Sequence, residues 1–229
     1  MNYKQFKTAI RKRIGMVGIG EFVDDSVLYN TSNSWSELYS NPKFLKEYIA
    51  PDRLNFYLRL VEYLDTKIEM SRVKKVLDVG CGTGHLLLAL HKKYPHIEFF
   101  GADFVQTGLE VASKVFPTAK FSFYDIYESK TEWEQQFDLV ICTEVLEHLL
   151  YPQKAFKNLY SFVNPQGGTL VISVPDGRKD TYSGHIQFWS PESWAVFIEE
   201  NMANYPQTKI ECGSMEIDRA NFAIIGNKN

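Results

Sequence analysis

The stretch Val76-Leu-Asp-Val-Gly-Cys-Gly-Thr-Gly-His85 decides how the rest of the chain is read. It opens with a short apolar run, Val76 to Val79, interrupted by Asp78. It continues through Gly80, Gly82 and Gly84 into Leu86-Leu-Leu-Ala-Leu90. That pattern predicts a buried strand, a glycine-rich turn and the start of a helix. Such a turn lets backbone N–H groups and a helix N-terminus come close to a ligand, because glycine carries no Cβ to hold the ligand off. Asp78 falls in the end of the strand, where a carboxylate is costly unless something pairs with it.

Downstream of this stretch, strand and helix patterns alternate. Strands are expected over 74–79, 97–102, 120–124, 138–142, 168–174, 208–213 and 222–225. Helices are expected over 84–93, 107–115, 144–149, 153–163 and 191–202. Ser190-Pro191-Glu192 combines an N-cap, a first-turn proline and an early acid. The alternation predicts an α/β fold: a doubly wound, Rossmann-like parallel sheet with helices on both faces and a ligand site beyond the C-terminal strand ends.

Upstream, residues 2–14 predict a basic helix with Phe6, Ile10 and Ile14 on one face and Arg11-Lys-Arg13 near its end. Residues 15–34 read as loop or lid. From Trp35 to Met70 the pattern is helical. Asn41-Pro42 forms a cap and first-turn proline, and a longer helix from Pro51-Asp52 carries Leu54, Tyr57, Leu58, Val61 and Leu64 at helical spacing. Trp35, Tyr39, Phe44 and Tyr48 lie together before it. They serve either as ordinary core or as a lid whose rings cover a ligand. The organisation is therefore an N-terminal helical cap over 1–70 and a ligand-binding domain over 71–229.

The totals restrict the function. The chain has 229 residues, 45% of them hydrophobic, with a net charge of −3, which offers no basic surface for a long nucleic acid. Cys81, Cys142 and Cys212 make no disulfide framework and fit a reducing compartment. No apolar run reaches membrane-spanning length and the N-terminus lacks a secretory signal, so a cytoplasmic location is expected. Oligomeric state is not legible.

A dinucleotide turn would read G-x-G-x-x-G. Here the third glycine, Gly84, comes one place early and His85 stands where glycine is wanted. Asp103 follows the second apolar strand, where a carboxylate can accept hydrogen bonds from both ribose hydroxyls. Asp125 follows the third strand, within reach of an adenine amino group. Three acids at three strand ends, without a basic phosphate clamp, describe a site for a nucleoside rather than a dinucleotide.

Val76 to Gly84 resembles the first motif of the class I S-adenosylmethionine-dependent methyltransferases. Ala102-Asp103, Tyr124-Asp125-Ile126, Phe137-Asp-Leu-Val-Ile-Cys142 and Gly167-Gly-Thr-Leu-Val-Ile-Ser173 resemble the family's later motifs, in order. The resemblance implies a seven-stranded sheet whose last strand is antiparallel. It implies that Gly80, Cys81, Gly82 and Gly84, with Asp78, pass the methionine end of S-adenosylmethionine. Asp103 would hold the ribose, Asp125 and Ile126 would meet the adenine, Phe104 would pack on the ring, and Thr143 would lie near the sulfonium.

A second constellation follows the fourth strand: Thr143-Glu144-Val-Leu-Glu147-His148. On a helix, Glu144, Glu147 and His148 share one face. His185, in the loop after the neighbouring fifth strand, can reach the same spot. Two carboxylates and two imidazoles suit a divalent metal such as Mg with open positions for substrate. The set is similar to Glu-x-x-Glu-His followed by a later His in the ubiquinone-biosynthesis O-methyltransferases and the small-RNA 2′-O-methyltransferases. Glu144, His148 and His185 are the catalytic candidates; without a metal, His148 or His185 would instead act as a general base, and Glu144 would orient the loop. His85 reads as a structural or pocket-edge residue, and His91 and His96 as surface residues.

These readings converge on an O-methyltransferase that methylates a hydroxyl of a small molecule or glycan, such as a sugar or a catechol-like ring, and releases S-adenosylhomocysteine. The alternatives are an N-methyltransferase acting on an amine without a metal, a non-catalytic S-adenosylmethionine-binding module and, less well fitted, a nicotinamide dehydrogenase.

Overall fold

The computed structural model describes residues 30–215 and 220–227. The basic helix expected over 2–14 and most of the loop expected over 15–34 lie outside the described residues. Helices α1 (Ser32–Ser40), α2 (Pro42–Tyr48) and α3 (Pro51–Lys67) precede the sheet. Then follow β1 (Lys75–Val79), α4 (His85–Lys93), β2 (Glu98–Asp103), α5 (Gln106–Val115), β3 (Lys120–Phe123), β4 (Leu139–Thr143) and α6 (Pro152–Ser161). The chain continues through β5 (Thr169–Pro175), α7 (Pro191–Met202), β6 (Thr208–Met215) and β7 (Ala220–Asn227).

The strands form one seven-stranded sheet in the order β3-β2-β1-β4-β5-β7-β6. The first five are parallel, and β7 runs antiparallel to both β5 and β6, as expected. Strand order reverses at β1, which pairs with β2 on one side and β4 on the other, so the crevice that can take a ligand opens beyond these strands. Asp138 fixes the start of the β1–β4 pair: its Oδ2 accepts from the N–H groups of Lys74 and Lys75 at 2.8 and 3.0 Å.

Both faces of the sheet are covered. On one, Tyr57, Leu60, Val61 and Leu64 of α3 pack with Leu86, Leu87 and Leu90 of α4 over Val76, Leu139 and Ile141. On the other, Phe156 and Leu159 of α6 and Trp194 and Ile198 of α7 cover Leu77, Val140, Leu170 and Ile172. Alternate residues of the central strands thus face opposite layers, which is why those strands read as continuous apolar runs.

Helix starts follow the sequence signals. Ser190 Oγ accepts from the Ser193 N–H at 3.2 Å, and Asn41 Oδ1 accepts from the Lys43 N–H at 2.9 Å. Three expectations are corrected. Residues 144–149 are not an α-helix. Glu144 takes a left-handed conformation at φ 56° and a short 3₁₀ turn covers Leu146–His148, because the Glu144 N–H continues the β4–β5 ladder to Ser173 O at 3.0 Å. Leu54 and Leu58 of α3 face outward, Leu58 with 52% exposure, while Leu60 is buried in their place. His91 is not a surface residue. Its ring packs against Phe99 and Phe116, with centroids 5.8 and 4.7 Å away, and its buried Nδ1 has no partner among the described residues.

The two leucine environments of α3 make a direct comparison. Leu64→Ala removes a fully buried side chain and should lower unfolding free energy by about 2–5 kcal/mol. Leu58→Ala should change it by less than about 0.5 kcal/mol. Urea denaturation of both variants checks this.

Candidate active site

The glycine turn is built as its spacing demands. Gly80, Gly82 and Gly84 all have positive φ, at 79°, 50° and 73°, the conformation that residues with a Cβ avoid. The N–H groups of Gly80 and Cys81 both donate to Ala102 O, at 2.8 and 3.0 Å, folding the turn against the end of β2. A Cβ at Gly80 would lie 2.3 Å from Val145 Cγ2. The turn therefore closes only if this position has no side chain.

Beyond the turn opens a cavity of about 640 Å³. Asp78, Gly80, Cys81, Asp103, Phe104, Asp125, Ile126 and Thr143 line it, so the strand-end residues expected around a nucleoside share one space. Gly82 and Gly84 are absent from its wall and shape the turn behind it. Asp103 fixes the turn: its Oδ2 accepts from the Gly82 N–H at 2.8 Å and its Oδ1 from the Val105 N–H at 2.9 Å. Asp125 Oδ1 accepts from the Tyr127 N–H at 2.9 Å, and Asn158 Nδ2 donates to Ile126 O at 2.8 Å, so α6 secures the end of β3. His85 Nδ1 lies 2.8 Å from Thr83 Oγ1, and His85 is not part of the wall.

Two acids pay for their burial. Asp78 is pushed up to about 8 by burial and then by the charge of Asp103. Asp103 is pushed up to about 6 by burial, against the opposing hydrogen bonds from backbone N–H groups.

The second constellation meets beside the cavity: Glu144 and His148 line it, while Glu147 and His185 lie outside its wall. Ligand-capable atoms of Glu147, His148 and His185 lie within 4.8 Å of one another. Glu147 is 1% exposed, and neither carboxylate oxygen has a hydrogen-bond partner among the described residues. Its Oε1 is 3.9 Å from His148 Nε2 and 3.7 Å from His185 Nε2. Each imidazole is oriented from behind. His148 Nδ1 lies 3.2 Å from Gly184 O, a carbonyl to which it can only donate, and His185 Nδ1 lies 2.5 Å from Asp180 Oδ2. These partners call for a ring proton on each Nδ1 and turn both Nε2 atoms toward Glu147.

Burial pushes His148 down to about 3, and the neighbouring His185 adds to this, so the ring is neutral. Burial raises Glu147 well above the carboxylate range, and the Glu144 charge adds to it. Asp180 stays low because the His185 and Tyr182 hydrogen bonds outweigh its burial. Glu144 is turned elsewhere. It lines the cavity, but Ser173 Oγ donates to its Oε1 at 3.0 Å, and it lies outside the group of three.

The helices before the sheet close the cavity. Trp35, Tyr39, Phe44, Phe56 and Tyr57 line it, so the early aromatic residues whose side chains are described face the ligand space. The Tyr48 side chain lies outside the described residues. Trp35 stands edge-on to His148 at 5.2 Å, and Ser36 Oγ lies 3.1 Å from Thr107 Oγ1. The sequence reading missed Asp180, Ser173 and the Gly184 carbonyl. Asp180 stands five residues before His185, but in a loop no periodicity links an acid to a histidine.

This strand order, with a glycine turn and strand-end acids around one cavity, defines a nucleoside-cofactor α/β class. The chain belongs to the S-adenosylmethionine-dependent methyltransferases: the model of the family described as "Methyltransferase domain" matches residues 47–205. A ubiquinone biosynthesis O-methyltransferase of Coxiella burnetii is 34% identical over 125 residues, covering 50% of this chain and 48% of the relative. A trans-aconitate 2-methyltransferase of Escherichia coli O139:H28 is 30% identical over 110 residues, 48% of this chain and 42% of the relative. The chain thus spans about half the length of the curated relatives it matches. In fold it is similar to the plantazolicin methyltransferase BpumL in complex with SAH, with a TM-score of 0.69, 13% identity and full coverage of both chains. Among the described residues, no helix is long and apolar enough to cross a membrane.

The pH dependence of stability follows from Asp78. Its folded-state pKa lies above its ordinary value of 3.8. The folded state therefore holds an extra proton between about pH 4 and 8, and stability falls as pH rises through that window. Asp78→Asn removes its share of the dependence, to which Asp103 and Glu147 also contribute. At pH 8 the ligand-free variant should be more stable than the wild type by at least about 1 kcal/mol, roughly 2–4 °C in Tm, with a smaller gain at pH 5. Melting curves at the two pH values read this directly.

Proposed function

We propose that this chain methylates a hydroxyl of a small acceptor, a sugar or catechol-like ring, using S-adenosylmethionine and a divalent metal. The observation that carries the reading is Glu147. A buried carboxylate with both oxygens unpartnered is costly unless an ion completes it. Two imidazoles present their Nε2 atoms to it, each held through Nδ1 in the way that orients metal-binding histidines. The donor set fits a metal, and two nitrogens to one carboxylate suit a first-row transition ion better than Mg, which prefers oxygen. Bound at Glu147, His148 and His185, such an ion would supply Lewis acidity toward the acceptor hydroxyl.

The chain's own residues do the rest. Asp103, Asp125, Ile126 and Phe104 hold the adenosine. Asp78 and the glycine turn hold the methionine end, with Thr143 beside the sulfonium. The acceptor oxygen forms a bond to the methyl carbon as the C–S bond breaks, and the bonding pair goes to sulfur to give S-adenosylhomocysteine. Glu144, raised by burial and steadied by Ser173, receives the hydroxyl proton. Trp35, Tyr39 and Phe44 act as a cap that excludes water and fixes the acceptor. An amine acceptor would need no ion and would leave the Glu147 cluster without a purpose.

Mn²⁺ should raise the melting temperature of the wild-type protein. Glu147→Gln should lose that response while melting higher than wild type without metal, because it removes the cost of protonating or burying an acid without a partner. His148→Ala or His185→Ala should each lower methyl transfer to a catechol by about 10- to 100-fold or more. Wild-type turnover that is indifferent to a chelator would remove the metal from the mechanism.

A further inference from the structure

Arg53 is the feature of the cavity that methyl transfer to a plain hydroxyl does not use. It is the third residue of α3, and among the described residues that line the cavity it is the one lysine or arginine. Its position is electrostatically poor for the helix, since the N-terminal end of a helix favours acids, as Asp52 beside it does. The rings of Phe56 and Tyr57, from the same turn of α3, line the wall with it. The guanidinium charge is felt by both Glu144 and Glu147, where it opposes the rise that burial produces. Arg53 therefore shares one cavity with Glu144 and His148.

We propose that Arg53 is a specificity-determining residue that binds a carboxylate carried by the hydroxyl acceptor. A planar guanidinium pairs with a carboxylate through two parallel hydrogen bonds, which fixes direction as well as charge. Phe56 and Tyr57 beside it would flank the apolar body of such a molecule. A singly charged carboxylate fits better than a phosphate, because a dianion would share the cavity with Asp78, Asp103, Asp125 and Glu144. Held by Arg53, the acceptor directs its hydroxyl toward Glu144 and the Glu147, His148 and His185 group. The inference rests on the hydroxyl-methylation reading and deepens it by naming an acid-bearing acceptor.

The test compares catechol with 3,4-dihydroxybenzoate, which differ by one carboxylate. Binding of each to the wild type saturated with S-adenosylhomocysteine and Mn²⁺ is measured by calorimetry, and KM and product are measured in turnover. The wild type should favour the carboxylated ring by about tenfold or more. Arg53→Gln should erase most of that preference, and Arg53→Lys should keep part of it. Melting curves of both variants report folding. Equal wild-type affinity for the two rings, or an Arg53→Gln loss that falls equally on both, overturns the proposal. A change confined to the pH profile of turnover does so too, because it would reduce Arg53 to a counter-charge for Glu144. The binding preference is read without turnover, so absence of O-methyl product would sink the hydroxyl reading alone. O-methyl product without the preference would sink only the role of Arg53.

Discussion

The site depends on one close approach, that of Val145 to the backbone of Gly80, where a Cβ would lie 2.3 Å from Val145 Cγ2. Gly80 opens the turn after β1, and Val145 lies in the turn after β4, the neighbouring strand on the far side of the strand-order switch. Packing them together fixes the separation of the two halves of the cavity. On one side stand the glycine turn and the strand-end acids, on the other Glu144 and His148. Without a side chain at Gly80 the second turn can settle onto the first. The left-handed φ of Gly80 and Glu144 lets each chain leave its strand sharply enough to do so.

The same geometry concentrates charge where the protein is driest. Asp78, Asp103 and Glu147 are all buried, and burial raises all three above the ordinary carboxylate range. None of this helps a ligand-free chain to fold. It is tolerated because two packed layers of apolar side chains cover the central strands, and it is offset when a cation or hydrogen-bond donors arrive. S-adenosylmethionine carries a sulfonium and ribose hydroxyls, which suit the first set of acids. Glu147 with two imidazoles suits an ion. Stability surrendered at such a site becomes affinity for its ligands.

The fold was legible because its signals are local and repeated. Continuous apolar runs in β1, β4 and β5, and capping residues such as Ser190 and Asn41, each report a neighbourhood of a few residues. The errors share one cause. Leu58 matched the helical period but points outward, since α3 meets the sheet over a narrower stripe through Tyr57, Leu60, Val61 and Leu64. Residues 144–149 scored as helix by composition, yet the ladder to Ser173 keeps Glu144 in the sheet's register. In each case a tertiary contact overrode a local preference.

By itself the sequence determined the α/β architecture and the cofactor class. Both depend on spacing along the chain: glycines at alternate positions, an acid at the end of each of three strands, and strands alternating with helices. Only the tertiary structure decided the chemistry of the second constellation. It separated Glu144, held by Ser173, from Glu147, His148 and His185. It supplied Asp180 and Gly184 from a distant loop to set the imidazole protons, and it brought Arg53 of α3 to the cavity wall. Apart from Asp180 and His185, which are five residues apart, these partners stand tens of residues apart in the chain, and no periodicity connects them. Their meeting is fixed by the order of strands in the sheet and by the helices packed against it.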